Sequence, residues 1–347
     1  MNSRQTGVAL ITVLLVLSLA TVAAVSMTTR QQMDIRRTTN ILRIEEAYMA
    51  LLAAEEFTKA LLLFDLTQTI TPKDQDGRGD YWNDPRLEQA VQTVGNFKLI
   101  NLKIEDLQGR FNINNLLTDP TTVSQNNYEN FRDLLGEYTL PEELANVAID
   151  WMDNDPDLRP DGAEDTAYQS LTRPYIPPNR EMVSASEMNR LMGVNFAGKD
   201  DYDGGNRKMR KVIYNLLHNI DHKALIALPR GTAININTPS SKAVFQMMVP
   251  RMTDDDAQAL FKYTLVAPEQ APYFKDANAF WNHDLVKKQK VAQSRQVQIS
   301  VDSNYFLLHA EAIHEDLVVY SNTIFHRTRN PNSVSVVHRS YGRAGEI

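Results

Sequence analysis

The sequence predicts an α+β protein: one very long N-terminal helix, an antiparallel sheet, and a block of shorter helices set between the strands. Three observations carry this. No Gly or Pro occurs from Val8 to Thr71. Strand-like alternation appears just after residue 97 and again beyond 295. The stretch from about 120 to 290 carries helix starts and helical spacing instead.

The helix comes first. After a short head with one positive charge, at Arg4, an apolar run begins at Val8 and reaches Met27 without a charge. At 1.5 Å per residue, about 20 residues span the roughly 30 Å hydrocarbon layer of a bilayer. Beyond it Ile41, Ile44, Tyr48, Leu51 and Leu52 recur on one helical face, with Glu45, Glu46, Glu55 and Glu56 largely off it. The expected helix ends near Thr71-Pro72. Three readings of this terminus stand side by side: a cleaved secretory signal ending at Ala23-Ala24, a retained signal-anchor, or a leader cut after Gly7.

Ile100, Leu102 and Ile104 alternate with Asn101 and Lys103, and 106–109 reads as a turn into a second strand, Arg110 to Ile113. After 295 come RQVQISV, YFLLHAEAIH, DLVVYSNTIFHRT and SVSVVHRSYG. Their connections are too short for crossovers, so an antiparallel meander is expected. Within the helical block, Ser184 with Glu187 reads as a capping box, Thr238-Pro239 as a helix start, and Thr253 as the cap of AQALFKYTLV.

The block repeats. Asn112-Ile113-Asn114 recurs as Asn235-Ile236-Asn237, and each copy is followed by a helix bearing Ala145 or Ala257 and then by a later short helix. Such pairs resemble helix-hairpin-helix and SAM-like modules, some of which bind DNA. Here the hairpins hold Pro141-Glu142-Glu143 and Thr253-Asp254-Asp255-Asp256, which repel phosphate.

The first copy contains a long acidic loop, DWMDNDPDLRPDGAED, with carboxylates at Asp150, Asp153, Asp155, Asp157, Asp161, Glu164 and Asp165. Asp153, Asp155, Asp157, Asp161 and Glu164 fall at positions 1, 3, 5, 9 and 12 of an EF-hand count, but Leu158 replaces the required Gly. The loop is therefore not an EF-hand. A solvated acidic face, an all-oxygen site for a hard cation, and a catalytic carboxylate pair all remain readings of it. Asp74, Asp76 and Asp80 look calcium-like but lie in a short segment, and Asp200, Asp201 and Asp203 read as a flexible turn; for each, a metal site stands beside the plain loop reading.

Composition excludes several classes. The 347 residues carry 36 Lys and Arg against 43 Asp and Glu, a formal charge of −7, so nucleic acid is a poor partner. There is no cysteine, hence no disulfide and no thiolate chemistry. His218 and His222 are spaced for a metalloprotease helix, but Asn219 stands where its Glu must be. No phosphate loop, dinucleotide loop or nucleophile elbow is present, and no enzyme is expected.

A basic leader, Gly7 and an apolar run together resemble the type IV prepilin processing site, with the cut between Gly7 and Val8. Prepilin-like subunits usually carry Glu at the fifth mature position; here that place holds Thr12. The missing Glu, the tandem helical block and DWMDNDPDLRPDGAEDTAYQSLTRPYIPPNREMVSASEM resemble the K-type minor pseudopilins of type II secretion systems.

That resemblance implies a pilin-like fold with two SAM-like or helix-hairpin-helix-like modules inserted. Its parts would be a leader (1–7), a transmembrane half-helix (8–28), an amphipathic helix with a first hairpin (29–113), a helical insertion (114–292, modules about 112–195 and 235–290) and closing strands (293–347). It further implies cleavage and methylation by prepilin peptidase, a single-pass inner-membrane anchor with a periplasmic body, Ca²⁺ in the acidic loop, and a pseudopilus-tip position beside I-type and J-type minor pseudopilins. A membrane-anchored calcium-binding protein outside any filament and a membrane-tethered hydrolase are the alternatives.

Overall fold

The computed structural model describes residues 5–67, 75–89, 92–94, 97–171, 174–192, 213–214, 216, 223–265, 274–315 and 317–342. Asp74, the cluster at 200–205, His218 and His222 lie outside them.

Helix α1, Gln5–Asp65, is one unbroken helix of 61 residues. It ends earlier than Thr71-Pro72, which lie outside the described residues. Its segment from Val8 is long and apolar enough to cross a membrane, and the apolar window is wholly exposed. The far half rests on the sheet through Ala47, Ala50, Leu51, Ala54, Thr58 and Leu62, all buried. The expected stripe is therefore corrected: Ile41 is 60% exposed and Ile44 and Leu52 stay largely outside. The alanines face the sheet because their small side chains let the helix approach closely. Glu55 also departs from expectation. It is buried, accepting from Arg339 Nε and Nη2 at 2.6 Å and from Thr323 Oγ1 at 2.8 Å.

After α2 (Pro85–Gln89), strands β1 (Gln92–Val94) and β2 (Phe97–Asp106) form a hairpin. The predicted hairpin of β2 with 110–113 does not form. Asp106 accepts from Gln108 N at 2.8 Å, turning the chain, and β3 (Phe111–Asn112) leaves the sheet.

The helical block follows: α3 (Gln125–Glu137), α4 (Leu144–Met152), α5 (Asp165–Gln169), β4 (Leu225–Ile226), β5 (Ile234–Asn235), α6 (Lys242–Met248), α7 (Asp254–Thr264), α8 (Ala277–Trp281) and α9 (Asp284–Lys287). Thr253 caps α7 as predicted, with Oγ1 accepting from Asp256 N. Thr238 does not open a helix: Ser241 occupies the cap position of α6, and the Thr238 hydroxyl donates to Asp106 instead. Ser184 accepts from Ser186 N at 3.1 Å, and Glu187 reaches back to Val183 N.

Strands β6 (Ile299–Ser300), β7 (Tyr305–His314), β8 (Leu317–Arg329) and β9 (Asn332–Ser340) close the chain. The main sheet has the order β1-β2-β7-β8-β9 and is antiparallel throughout. RQVQISV is not its member, because β6 pairs in parallel with β5. The core between α1 and the sheet includes Trp82, Leu102, Ile104, Phe306, Leu308 and Phe325; a larger, separate cluster fills the helical block.

The repeat is visible atom by atom. Asn112 Oδ1 accepts from Asn114 N, and Asn235 Oδ1 accepts from Asn237 N. Asn114 then clamps both backbone groups of Met182, at 2.8 and 2.9 Å. Asn237 does the same to Phe274, at 2.9 and 3.1 Å. In each copy the Asn-bearing strand pairs in parallel with the strand that closes its module, β3 with β4 and β5 with β6. Thr139 and Arg251, each between its module's helix pair, adopt left-handed backbone at φ 56° and 69°.

Candidate metal centre in the acidic loop

Helix α4 is apolar on nearly every side, and its residues from Val147 to Met152 are buried. This carries Asp150 and Asp153, both fully buried, to the floor of the loop. The loop folds back so that Arg159 Nη1 lies 2.9 Å from Asp150 Oδ1 and also bonds Asp153. Asp161 turns the chain with φ 57°, and Gly162 N donates to Arg159 O at 2.9 Å. A Cβ on Gly162 would stand 2.0 Å from Asp150 Oδ2, so only glycine lets the chain pass.

Glu164 arrives from the far side, at the start of α5. Trp151, Tyr168 and Tyr175 brace the loop from behind, with ring centroids 5.2 to 6.1 Å apart.

The electrostatics are unbalanced. Burial pushes the Asp153 carboxyl up to about 6 despite Arg159. Burial, then the charges of Asp150, Asp153, Asp155 and Asp165, push Glu164 up to about 7. Asp153 Oδ1, Glu164 Oε1 and Asn179 Oδ1 are buried without a hydrogen-bond partner among the described residues. Such orphaned acceptors are costly unless something donates to them. The donor set is all oxygen, which suits a hard dication rather than zinc.

The predicted residues are therefore placed unequally. Asp150, Asp153, Asp155, Glu164 and Asp165 act on one another, whereas Asp157 and Asp161 are exposed at the rim. Sequence reasoning missed Arg159, which bridges two of the carboxylates, and Asn179, whose φ of 46° was not legible. Gly7, Val8 and Thr12 all fall within α1, and the Thr12 hydroxyl donates to Ala9 O at 2.9 Å.

A second carboxylate group, Asp65, Asp76 and Asp80, has oxygens within 4.8 Å of one another. Arg327 and Arg329 already pair two of its members, and the third is bonded to backbone: Arg327 bonds Asp65 at 2.9 Å and also Asp76, Arg329 bonds Asp76 at 2.6 Å, and Asp80 Oδ2 accepts from Gly77 N at 2.8 Å. It is a structural ion cluster.

Comparison with known proteins places these features. The family described as type II secretion system (T2SS), protein K, matches residues 109–199, which contain the acidic loop. Type II secretion system protein K of Pseudomonas aeruginosa is 32% identical over 247 residues, covering 69% of this chain and 67% of its own. The Aeromonas hydrophila protein of that name is 31% identical over 204 residues, covering 55% and 60%. The putative protein K of Escherichia coli K12 is 27% identical over 331 residues, covering 91% of each. A chain of the GspK-GspI-GspJ complex from the enterotoxigenic Escherichia coli type 2 secretion system shares the fold, with a TM-score of 0.62 at 22% identity, over 88% of this chain and 99% of that one. The fold is thus shared with a chain of a solved secretion-system complex, and this chain belongs to the type II secretion system protein K family.

Proposed function

We propose that this subunit sits at the tip of a short pseudopilus, joined to I-type and J-type minor pseudopilins through the free side of α1. One observation carries this reading. Beyond the membrane span, Ile35, Leu42, Met49, Phe57 and Phe64 recur at seven- and eight-residue spacing on the helix side away from the sheet. Their exposures are 58, 58, 66, 39 and 47%. Phe64 at the end of this stripe meets the Tyr81 ring edge-on at 5.2 Å, and a helix with one apolar stripe on its own sheet and a second one largely exposed is built to receive another helix. The solved GspK-GspI-GspJ complex supports the choice of partners.

The helical block, organised as two tandem SAM-like modules, stands where a further subunit would stack above, which favours the tip. Thr12 in place of Glu fits the same position, since a topmost subunit has no neighbouring N-terminus to meet. Met49→Lys is expected to leave the melting temperature of the isolated protein within about 1 °C. It should abolish co-purification with the I-type and J-type subunits and reduce secretion. Normal co-purification would overturn the reading. Processing has its own check: the mature protein should lack residues 1–7, begin at Val8 and carry one N-terminal methyl group, as read by intact mass.

The acidic loop is proposed to hold Ca²⁺ through Asp150, Asp153, Asp155, Glu164 and Asp165, with Asp157 and Asp161 at the rim. The ion would relieve the repulsion that raises Glu164 and would satisfy the orphaned oxygens. The sign of the pH effect follows. Carboxyls raised on folding bind more protons in the folded state, so the ion-free protein loses stability as pH climbs from the ordinary carboxylate range to about 7. Calcium is expected to reverse that loss, and a chelator to restore it. Asp153→Asn should remove the calcium-dependent rise in melting temperature; an unchanged rise would exclude this ligand set.

A further inference from the structure

Glu105 lies on β2, on the sheet face turned away from α1, because Leu102 and Ile104 of the same strand join the core under the helix. Four basic side chains converge on it. Arg110 Nη2 is 2.6 Å from Oε2, Lys103 Nζ is 2.9 Å from Oε1, and Lys223 Nζ is 3.2 Å from Oε2. His309 Nε2 stands 3.8 Å from Oε1. Among the described residues these three lysine and arginine side chains make no other ion pair.

The charge count does not close. Lys103, Arg110 and Lys223 bring three positive charges against one negative, in a chain whose overall charge is −7. Lys103 keeps a side chain 40% exposed, but the other two cations are held away from water. Arg110 is only 6% exposed, and its Nε has no hydrogen-bond partner among the described residues. A buried guanidinium donor without an acceptor is uncommon and costly. Lys223 has a side chain 19% exposed; burial lowers its pKa, and the charge of Arg110 lowers it further. Glu105 is raised by burial, but His309, Arg110 and Lys223 more than reverse this and hold it far below the ordinary carboxylate range. One carboxylate is thus saturated, and the cations around it are not.

We propose that this cluster is an oxyanion-binding site, in which a sulfate, phosphate or carboxylate group seats between Arg110 and Lys223 beside Glu105. The location gives it consequence. Phe111 N donates to Ala224 O, so Arg110 and Lys223 flank the point where the two ends of the first helical module meet, against β2 and β7 of the sheet. An anion there ties the module to the sheet, and a carboxylate presented by another protein would be read at the same place. Arg110 brings its Nε beside the Nη2 already held by Glu105, and Lys223 brings a mobile point charge.

The test uses the full-length protein in detergent. Melting temperature is followed against sodium sulfate and, separately, sodium acetate, each matched with sodium chloride at equal ionic strength. The wild type should gain a saturable rise over chloride, as linkage requires of a ligand held by the folded state. A response to sulfate alone would assign the site to tetrahedral anions; an equal response to acetate would assign it to carboxylates. Lys223→Gln should abolish the excess. Glu105→Gln removes the competing carboxylate and should lower the half-saturating concentration roughly tenfold. Should Glu105→Gln fail to fold, Lys103→Gln replaces it and should raise that concentration. No saturable excess in the wild type, or the same excess in Lys223→Gln, would overturn the proposal.

Discussion

Replacing Arg327 by Met is expected to cost about 3–5 kcal/mol, the range for breaking a buried ion pair by removing one partner. Arg327 is fully buried. Its guanidinium bonds Asp65 at 2.9 Å, Asp76, and the Ser303 carbonyl at 3.0 Å, and it lies 4.4 Å over the Phe306 ring. Methionine replaces much of the volume and none of the charge. Asp65 and Asp76 would then face each other and Asp80 in the group whose oxygens lie within 4.8 Å. Asp65 is already raised by burial, with Arg327 opposing. Without the arginine the Asp65 carboxyl would rise further, so the deficit should shrink as pH is lowered and that carboxyl becomes neutral. For a chain of this size the melting temperature should fall by roughly 5 °C. Adding Asp65→Asn should recover part of it, because one uncompensated charge is gone. A loss under about 1 kcal/mol would mean that the cluster is hydrated rather than buried.

Asp76 and Asp80 stood together in the sequence, but their partners Asp65 and Arg327 were not legible, and the reason is physical. Asp65, Asp76 and Arg327 are brought together across 262 and 251 residues, and no local pattern encodes such a pairing. What the sequence did reveal was periodic or repeated. The long helix followed from an uninterrupted run without Gly or Pro. The strands β7, β8 and β9 followed from alternation with short turns. The Asn-Ile-Asn repeat followed from identity, and its hydrogen bonds prove equivalent in both copies.

Two-residue strands were a different matter. Phe111–Asn112 and Ile299–Ser300 look like sheet strands, yet each pairs within a helical module. For segments this short, tertiary contacts decide the partner, not propensity. The buried face of α1 was misjudged for a related reason: alanines give a weak apolar signal but the closest approach. The acidic loop was legible as a cluster of oxygen donors. The bridging role of Arg159 was not, because it depends on how the loop folds back.

Replacing Gly109 by Ala is expected to be the most damaging single-methyl change, costing about 3 kcal/mol or more. An added Cβ would stand 1.9 Å from the carbonyl oxygen of Thr238, 2.9 Å from its carbon and 3.2 Å from Ser240 N. All three are backbone atoms, so no side chain can rotate aside. Nor can that backbone withdraw freely. Ser240 N donates to Gly109 O at 2.8 Å, the Thr238 hydroxyl donates to Asp106, and Asn235 Nδ2 reaches Asp106 at 3.2 Å. These bonds hold the second Asn-Ile-Asn turn against the turn that leaves β2. Relief of the clash must break them, and the buried Asp106 would then lose donors it depends on. The expected result is a lower melting temperature together with faster proteolysis between the sheet and the helical block. Gly136→Ala is the control. Its added methyl would meet nothing closer than 3.6 Å, within α3, so it should be neutral or stabilise by about 0.4–1 kcal/mol. Equal behaviour of the two variants would show that the two turns separate at little cost.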